Sequence, residues 1–270
     1  MICTKSIAHN CAHHGARHST HRSAIARMLA LALLSLSCVA QAAEVQVAVA
    51  ANFAGPFEKI AADFAAETGH KALISVGATG KFYAQIKNGA PFEVLLAADD
   101  ETPRKLVAET DGIAGSQFTY AKGKLVLWSA TAGLVDDKGA VLARNDFAHL
   151  AICDPKLAPY GLAAEEALKA SKLYDTLKPK FVTAESIAQA YQFVATGNAE
   201  LGFVALSQVA VPGKALQGSY WMVPANLYSP IQQDAVLLKK GEANPAAVAL
   251  LKFLRSDKAR AVIKSYGYDL

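Results

Sequence analysis

Cysteine is scarce in this chain, histidine is concentrated where a folded domain cannot use it, and no apolar run is long enough to cross a bilayer. Of four cysteines, Cys3, Cys11 and Cys38 fall in the first 42 residues and Cys153 stands alone beyond them, which excludes a disulfide scaffold in the remainder. Cys153 ends an apolar strand and reads as a small buried hydrophobe. Of seven histidines, His9, His13, His14, His18 and His21 share the same leader, leaving His70 and His149. No Gly-x-Ser-x-Gly elbow occurs, and nothing around Cys153 signals a base, so an exported hydrolase would lack an activated nucleophile. The chain reads as a non-enzyme.

The leader distorts whole-chain statistics. Residues 1–27 carry Lys5, Arg17, Arg22 and Arg27 and no acid, Met28 to Ala40 is apolar, and Ala40-Gln41-Ala42 is a small-x-small cleavage pattern. A signal peptide over 1–42 is expected, with the mature chain starting at Ala43. The apolar stretch falls short of the ~20 residues of a membrane-spanning helix. Lipidation at Cys38 is not expected, because the leucine of Ser35-Leu36-Ser37 stands in the wrong place. Taking the four leader cations from 27 basic residues leaves 23 against 23 acidic ones, so the mature protein is formally neutral. Without a Lys/Arg run it has no footprint for nucleic acid, and the effector half of a transcription regulator would need a helix-turn-helix and no export signal.

What is present is alternation. Val45 to Val49, Ala72 to Val76, Val94 to Leu96, Leu125 to Trp128, Ala151 to Cys153 and Leu201 to Val204 read as short buried strands, with helices between most of them. The first helix shows its stripe at Phe57, Ile60, Ala61 and Phe64, with Pro56 near its first turn and Gly69 just past its end. Such βα repetition predicts an α/β fold with parallel-rich sheets and ligand loops at the carboxyl ends of the strands. The 228 residues beyond the leader (270 less 42) suit two lobes. Polar, small segments at Thr119–Gly123 and Asn226–Pro230 are expected to carry the chain between them. Lobe I then combines 43–120 with 229–270, closed by helices over Pro245–Leu254 and Lys258–Tyr266, and lobe II spans 121–228.

Five strand ends run into loops of small or hydroxyl-bearing residues before a helix start: Ala50-Ala51-Asn52, Gly77-Ala78-Thr79-Gly80, Ala97-Ala98-Asp99, Ala158-Pro159-Tyr160-Gly161 and Ala184-Glu185-Ser186-Ile187. Free N–H groups at helix starts carry partial positive charge, so several converging on one cleft make a trap for a small anion. Each residue also has a plainer reading. Asn52, Thr79 and Ser186 are ordinary N-caps, Tyr160 a turn or core aromatic, Asp99 and Asp100 helix-start acids, and Lys81 part of a solvated helix face.

The order and spacing of Ala50-Ala51-Asn52-Phe53, Gly77-Ala78-Thr79-Gly80, Tyr83-Ala84-Gln85-Ile86, Asn88-Gly89-Ala90-Pro91 and Ala98-Asp99 resemble the periplasmic molybdate-binding proteins, the ModA type of ABC-transporter solute receptor. The resemblance continues through Gly123–Ala130, Ala158–Ala163 and Leu201–Leu206 and covers the mature chain. It implies a two-lobed periplasmic-binding-protein fold of type II with a two-strand hinge, clamping a tetrahedral dianion, molybdate or tungstate, between the lobes. It implies oxyanion contacts at Asn52, Thr79, Tyr160 and the backbone of Ile187, with Ala51 and Ala98 as secondary positions. These touch the molybdate through its oxygens, none being a direct metal ligand, and no cofactor is implied. It also implies a monomer in the periplasm that hands its anion to an inner-membrane permease. Ala51 stands where some members carry a hydroxyl and Ala205 where some carry a tyrosine, a place Tyr160 fills in the subgroup this chain resembles.

Neutral donors suit an anion with no proton to offer, whereas hydrogen phosphate wants an acceptor as well. Sulfate satisfies the same electrostatics and is the nearest alternative ligand. A ferric-iron receptor could use Tyr120, Tyr160 and Tyr228, but iron favours phenolate, carboxylate and imidazole sets over loops of neutral donors.

Overall fold

A computed structural model describes residues 42–270; the expected signal peptide lies outside the described residues except for Ala42. The chain runs β1 (Glu44–Ala50), a 3-10 turn (Ala51–Phe53), α1 (Ala54–Thr68), β2 (Lys71–Gly77), α2 (Thr79–Lys87), β3 (Val94–Leu96), α3 (Glu101–Ala108) and β4 (Phe118–Gly123). It continues through β5 (Leu125–Ser129), α4 (Val141–Arg144), β6 (Leu150–Cys153), α5 (Pro159–Ala170), α6 (Tyr174–Leu177), β7 (Phe181–Ala184), α7 (Ile187–Ala195), β8 (Leu201–Ala205), α8 (Leu206–Val209) and β9 (Ser219–Met222). It closes with β10 (Ile231–Leu237), α9 (Pro245–Leu254) and α10 (Asp257–Ser265).

Two five-stranded sheets result, ordered β2-β1-β3-β10-β4 and β7-β6-β8-β5-β9. In the first, β1 pairs in parallel with β2 and β3, while β10 is antiparallel to β3 and β4. In the second, β6 is parallel to β7 and β8, and β5 is antiparallel to β8 and β9. The sheets are therefore mixed, each a parallel trio extended by antiparallel strands, as happens when a chain leaves one sheet to build another and returns. Among the described residues no helix is long and apolar enough to cross a membrane.

The first helix follows its sequence pattern closely. Phe57, Ile60, Ala61 and Phe64 are buried, each large side chain contributing about 1.5–3 kcal/mol of transfer free energy. Gly69 ends the helix at φ 73°, donating to Ala65 O, a left-handed cap that favours glycine. The closing pair α9 and α10 start on Asn244 and Ser256, whose side chains accept from Ala246 N and Ala259 N.

The polar segment Thr119–Gly123, read as a crossing, lies in a strand. Residues Phe118–Gly123 form β4 because β10 supplies an antiparallel partner that local composition does not reveal. The pairing carries a bulge: Ala121 lies opposite Gln233 and Thr119 opposite Asp234, leaving Tyr120 as the extra residue. β7 and β9, short and partly polar, were likewise invisible to apolar patterning, and β10 begins four residues before the expected Ala235.

Candidate anion-binding site

The carboxyl ends of the parallel strands of both sheets open on one cavity. Ala50, Ala51, Asn52, Gly77, Ala78, Thr79 and Ala98 line it from the first sheet, and Ala158, Pro159, Tyr160 and Ile187 from the second. The cavity is small, about 10 Å³, and no charged side chain lines it. All six positions singled out in the sequence are here: Asn52, Thr79, Tyr160, Ile187, Ala51 and Ala98. His70 and His149 are not, since His70 Nδ1 accepts from Ala43 N at 3.1 Å and His149 N donates to Glu200 Oε2 at 2.8 Å.

Thr79 is the first residue of α2 and 1% exposed. It is not an N-cap: its Oγ1 accepts from Ala98 N at 3.0 Å. That bond occupies the Ala98 amide and fixes the hydroxyl as an acceptor on one side, so the Thr79 proton is left to point elsewhere. Ile187 opens α7, where Ser186 acts as the expected cap by accepting from Gln189 N. The first amides of this helix have no intrahelical acceptor and carry the positive end of the helix dipole.

Asn52 is also no cap, and its side chain does not supply a free donor. Nδ2 donates to Gln233 Oε1 at 2.8 Å and to the Tyr268 hydroxyl at 2.9 Å, which uses both of its protons. What Asn52 has left to donate is its main-chain N–H at the start of the 3-10 turn. Its carbonyl accepts from Ser207 Oγ and from the Tyr268 hydroxyl, each at 2.8 Å.

Tyr160 lies in the first turn of α5 and is 2% exposed. Its hydroxyl oxygen accepts from Gln233 Nε2 at 3.2 Å. Burial pushes the phenols of Tyr160 and Tyr120 well above their ordinary value and that of Tyr268 up to about 12, so all three stay protonated as neutral donors. Gly123 makes room for this arrangement: a Cβ there would stand 2.2 Å from the Tyr160 hydroxyl and 2.6 Å from Gln233 Nε2. Phe53 packs its ring against Tyr120 and Tyr268, with centroids 4.6 and 5.6 Å away.

Gln233, Ser207, Tyr268 and the structural role of Gly123 escaped sequence reasoning. Each is remote in sequence from the loop it serves, and a lone glutamine in a strand carries no spacing signal. The two acids of the third loop divide their work. Asp99 accepts from Thr102 N at 2.8 Å as a helix-start residue does, whereas Asp100 pairs with Arg104. Lys81 lies on an exposed helix face, as read from the sequence, and pairs there with Glu185.

Residues 45–269 match the family model for bacterial extracellular solute-binding proteins. The chain is 61% identical over 243 residues to the molybdate-binding protein ModA of Azotobacter vinelandii, covering 90% of this chain and 96% of that protein. It is 55% identical over 240 residues to the molybdate-binding protein ModA of Rhodobacter capsulatus, with 88% and 94% covered. Its fold is similar to the solved periplasmic molybdate-binding protein of Azotobacter vinelandii, at a TM-score of 0.82 and 46% identity, covering 84% of this chain and 99% of that one.

Proposed function

The chain belongs to the bacterial extracellular solute-binding proteins, among relatives of the ModA type, and on that premise we propose that it captures molybdate, and tungstate with it, for delivery to an ABC permease. It is a binding protein of the extracytoplasmic space, not an enzyme. The observation that carries the reading is a cavity free of charged side chains, lined by Thr79 and Tyr160, whose hydroxyl oxygens each accept a bond from the protein. The Ile187 helix start and the Asn52 main chain add backbone donors from opposite sheets. Donors without acceptors favour a proton-free tetrahedral dianion over hydrogen phosphate.

In this proposal residues 43–120 with 229–270 form one lobe and 121–228 the other, hinged within Thr119–Gly123 and Asn226–Pro230. Ligand completes a site that neither lobe holds alone and so selects the closed arrangement. Several contacts support closure: Ser207 Oγ to Asn52 O, Gln233 Nε2 to the Tyr160 hydroxyl, and Gly80 N to Leu157 O at 3.0 Å. The protein acts as a monomer after removal of a signal peptide over 1–42, and it needs no cofactor.

Titration calorimetry on residues 43–270 with molybdate, tungstate, sulfate and phosphate tests this. Tight binding of molybdate is expected; tight binding of sulfate or phosphate with none of molybdate overturns it.

A further inference from the structure

We propose that Gln233 is a positioning residue that sets the direction of the hydrogen bonds at the cavity, holding Tyr160 as a donor to the bound anion. The proposal rests on the oxyanion-receptor reading above. Gln233 is fully buried in β10 beside the bulge. Its Oε1 accepts from Asn52 Nδ2 at 2.8 Å, and the Tyr120 hydroxyl, whose single proton is shared with Ala97 O at 2.9 Å, stands 3.1 Å from it. A carboxamide oxygen has two lone pairs, room for both.

The amide group of Gln233 is therefore forced toward Tyr160, where Nε2 donates at 3.2 Å. Turned by half a revolution, Gln233 would set its NH₂ against the NH₂ of Asn52, and its oxygen would take the Tyr160 proton. In the observed orientation Gln233 does not take that proton. Asn52 is anchored in turn, because Tyr268, which it donates to, lies 2.9 Å from Ser207 Oγ. Direction thus passes from Tyr120 and Asn52 through Gln233 to the anion contact, crossing between the sheets at Gly123.

A glutamate would fit the same space with the opposite effect. Its carboxylate only accepts, so it would draw in the Tyr160 proton and set a negative charge near a dianion. Gln233→Glu, Gln233→Met and Tyr160→Phe, alone and with Tyr160→Phe combined with each, form double-mutant cycles read by molybdate calorimetry, with thermal melting to confirm the fold.

Tyr160→Phe is expected to weaken binding ~10- to 100-fold in the parent, the range for a lost bond to a charged partner. In the Gln233→Glu background the same change is expected to cost less than ~3-fold, because the donor has already been diverted. Affinity of Gln233→Glu should also recover as pH falls and the carboxyl protonates, while the parent stays flat. Gln233→Met carries the cycle should the glutamate fail to fold. An equal Tyr160→Phe cost in parent and Gln233 backgrounds overturns the positioning role and leaves the receptor reading intact. A parent that does not bind molybdate overturns the receptor reading itself.

Discussion

The backbone N–H of Gly80 donates to the carbonyl of Leu157 at 3.0 Å, joining the first turn of α2 to the loop that leads into α5. A Cβ at residue 80 would lie 3.1 Å from that oxygen and 3.2 Å from Leu157 Cα and Lys156 O. Backbone meets backbone here, and only a residue without a side chain permits it at no cost. Gly80→Ala is expected to act with opposite signs on its two readouts. Helix propensity should hold or raise the stability of the unliganded protein, by up to about 0.5–1 kcal/mol, seen as an unchanged or higher melting temperature. Molybdate affinity should fall ~3- to 10-fold, because the closed form alone must shift by a few tenths of an ångström. Unchanged affinity would remove this contact from the closure mechanism.

Thr79 accepts from the Ala98 amide and, on the proposed function, also holds the anion. Thr79→Val keeps the shape and removes both, so calorimetry should show a ~10- to 100-fold loss of molybdate affinity. Denaturant unfolding should show a loss of about 1–3 kcal/mol for the orphaned Ala98 N–H. Thr79→Ser should recover most of each.

Asp99 is half-buried beside the cavity wall, and burial pushes its carboxyl up from 3.8 to about 6. Its bonds from Thr102 only partly offset that. The folded protein then holds a proton that the unfolded chain releases. The stability this provides is fully present below the ordinary value of 3.8 and is lost as pH rises through about 6. Asp99→Asn, which keeps an acceptor for Thr102, should flatten that part of the stability profile and leave the protein about 1–2 kcal/mol more stable at neutral pH, once screening is allowed for. Urea unfolding across that range checks it.

Cys153 ends β6 at 1% exposure, and burial pushes its thiol up. A protonated, covered thiol does not react. Thiol reagents should fail to label the native protein and should label it stoichiometrically in denaturant; rapid native labelling would show that the second sheet opens locally.

The cavity was legible in the sequence because small-residue loops at strand ends are local signals, and Asn52, Thr79, Tyr160 and Ile187 do meet in one place. The function of each side chain was less legible. Asn52 looked like an amide donor, yet its donors are spent on Gln233 and Tyr268, residues 181 and 216 positions away. β4 read as a polar crossing because its apolar and polar residues do not alternate cleanly through the bulge. What sequence patterning misses is pairing at a distance: a strand defined by its neighbour, and a hydrogen bond whose direction is set by a third residue.

The supernumerary residue of β4 has a consequence for how such a protein can change. Tyr120 has no counterpart opposite it on β10, and that irregularity lets its hydroxyl reach Ala97 O at 2.9 Å as well as Gln233. Deleting it would give an uninterrupted ladder, an improvement by every rule of sheet construction, and would erase the phenol that helps orient Gln233. Pressure for a tidier sheet and pressure for a competent receptor therefore act on the same codon in opposite directions.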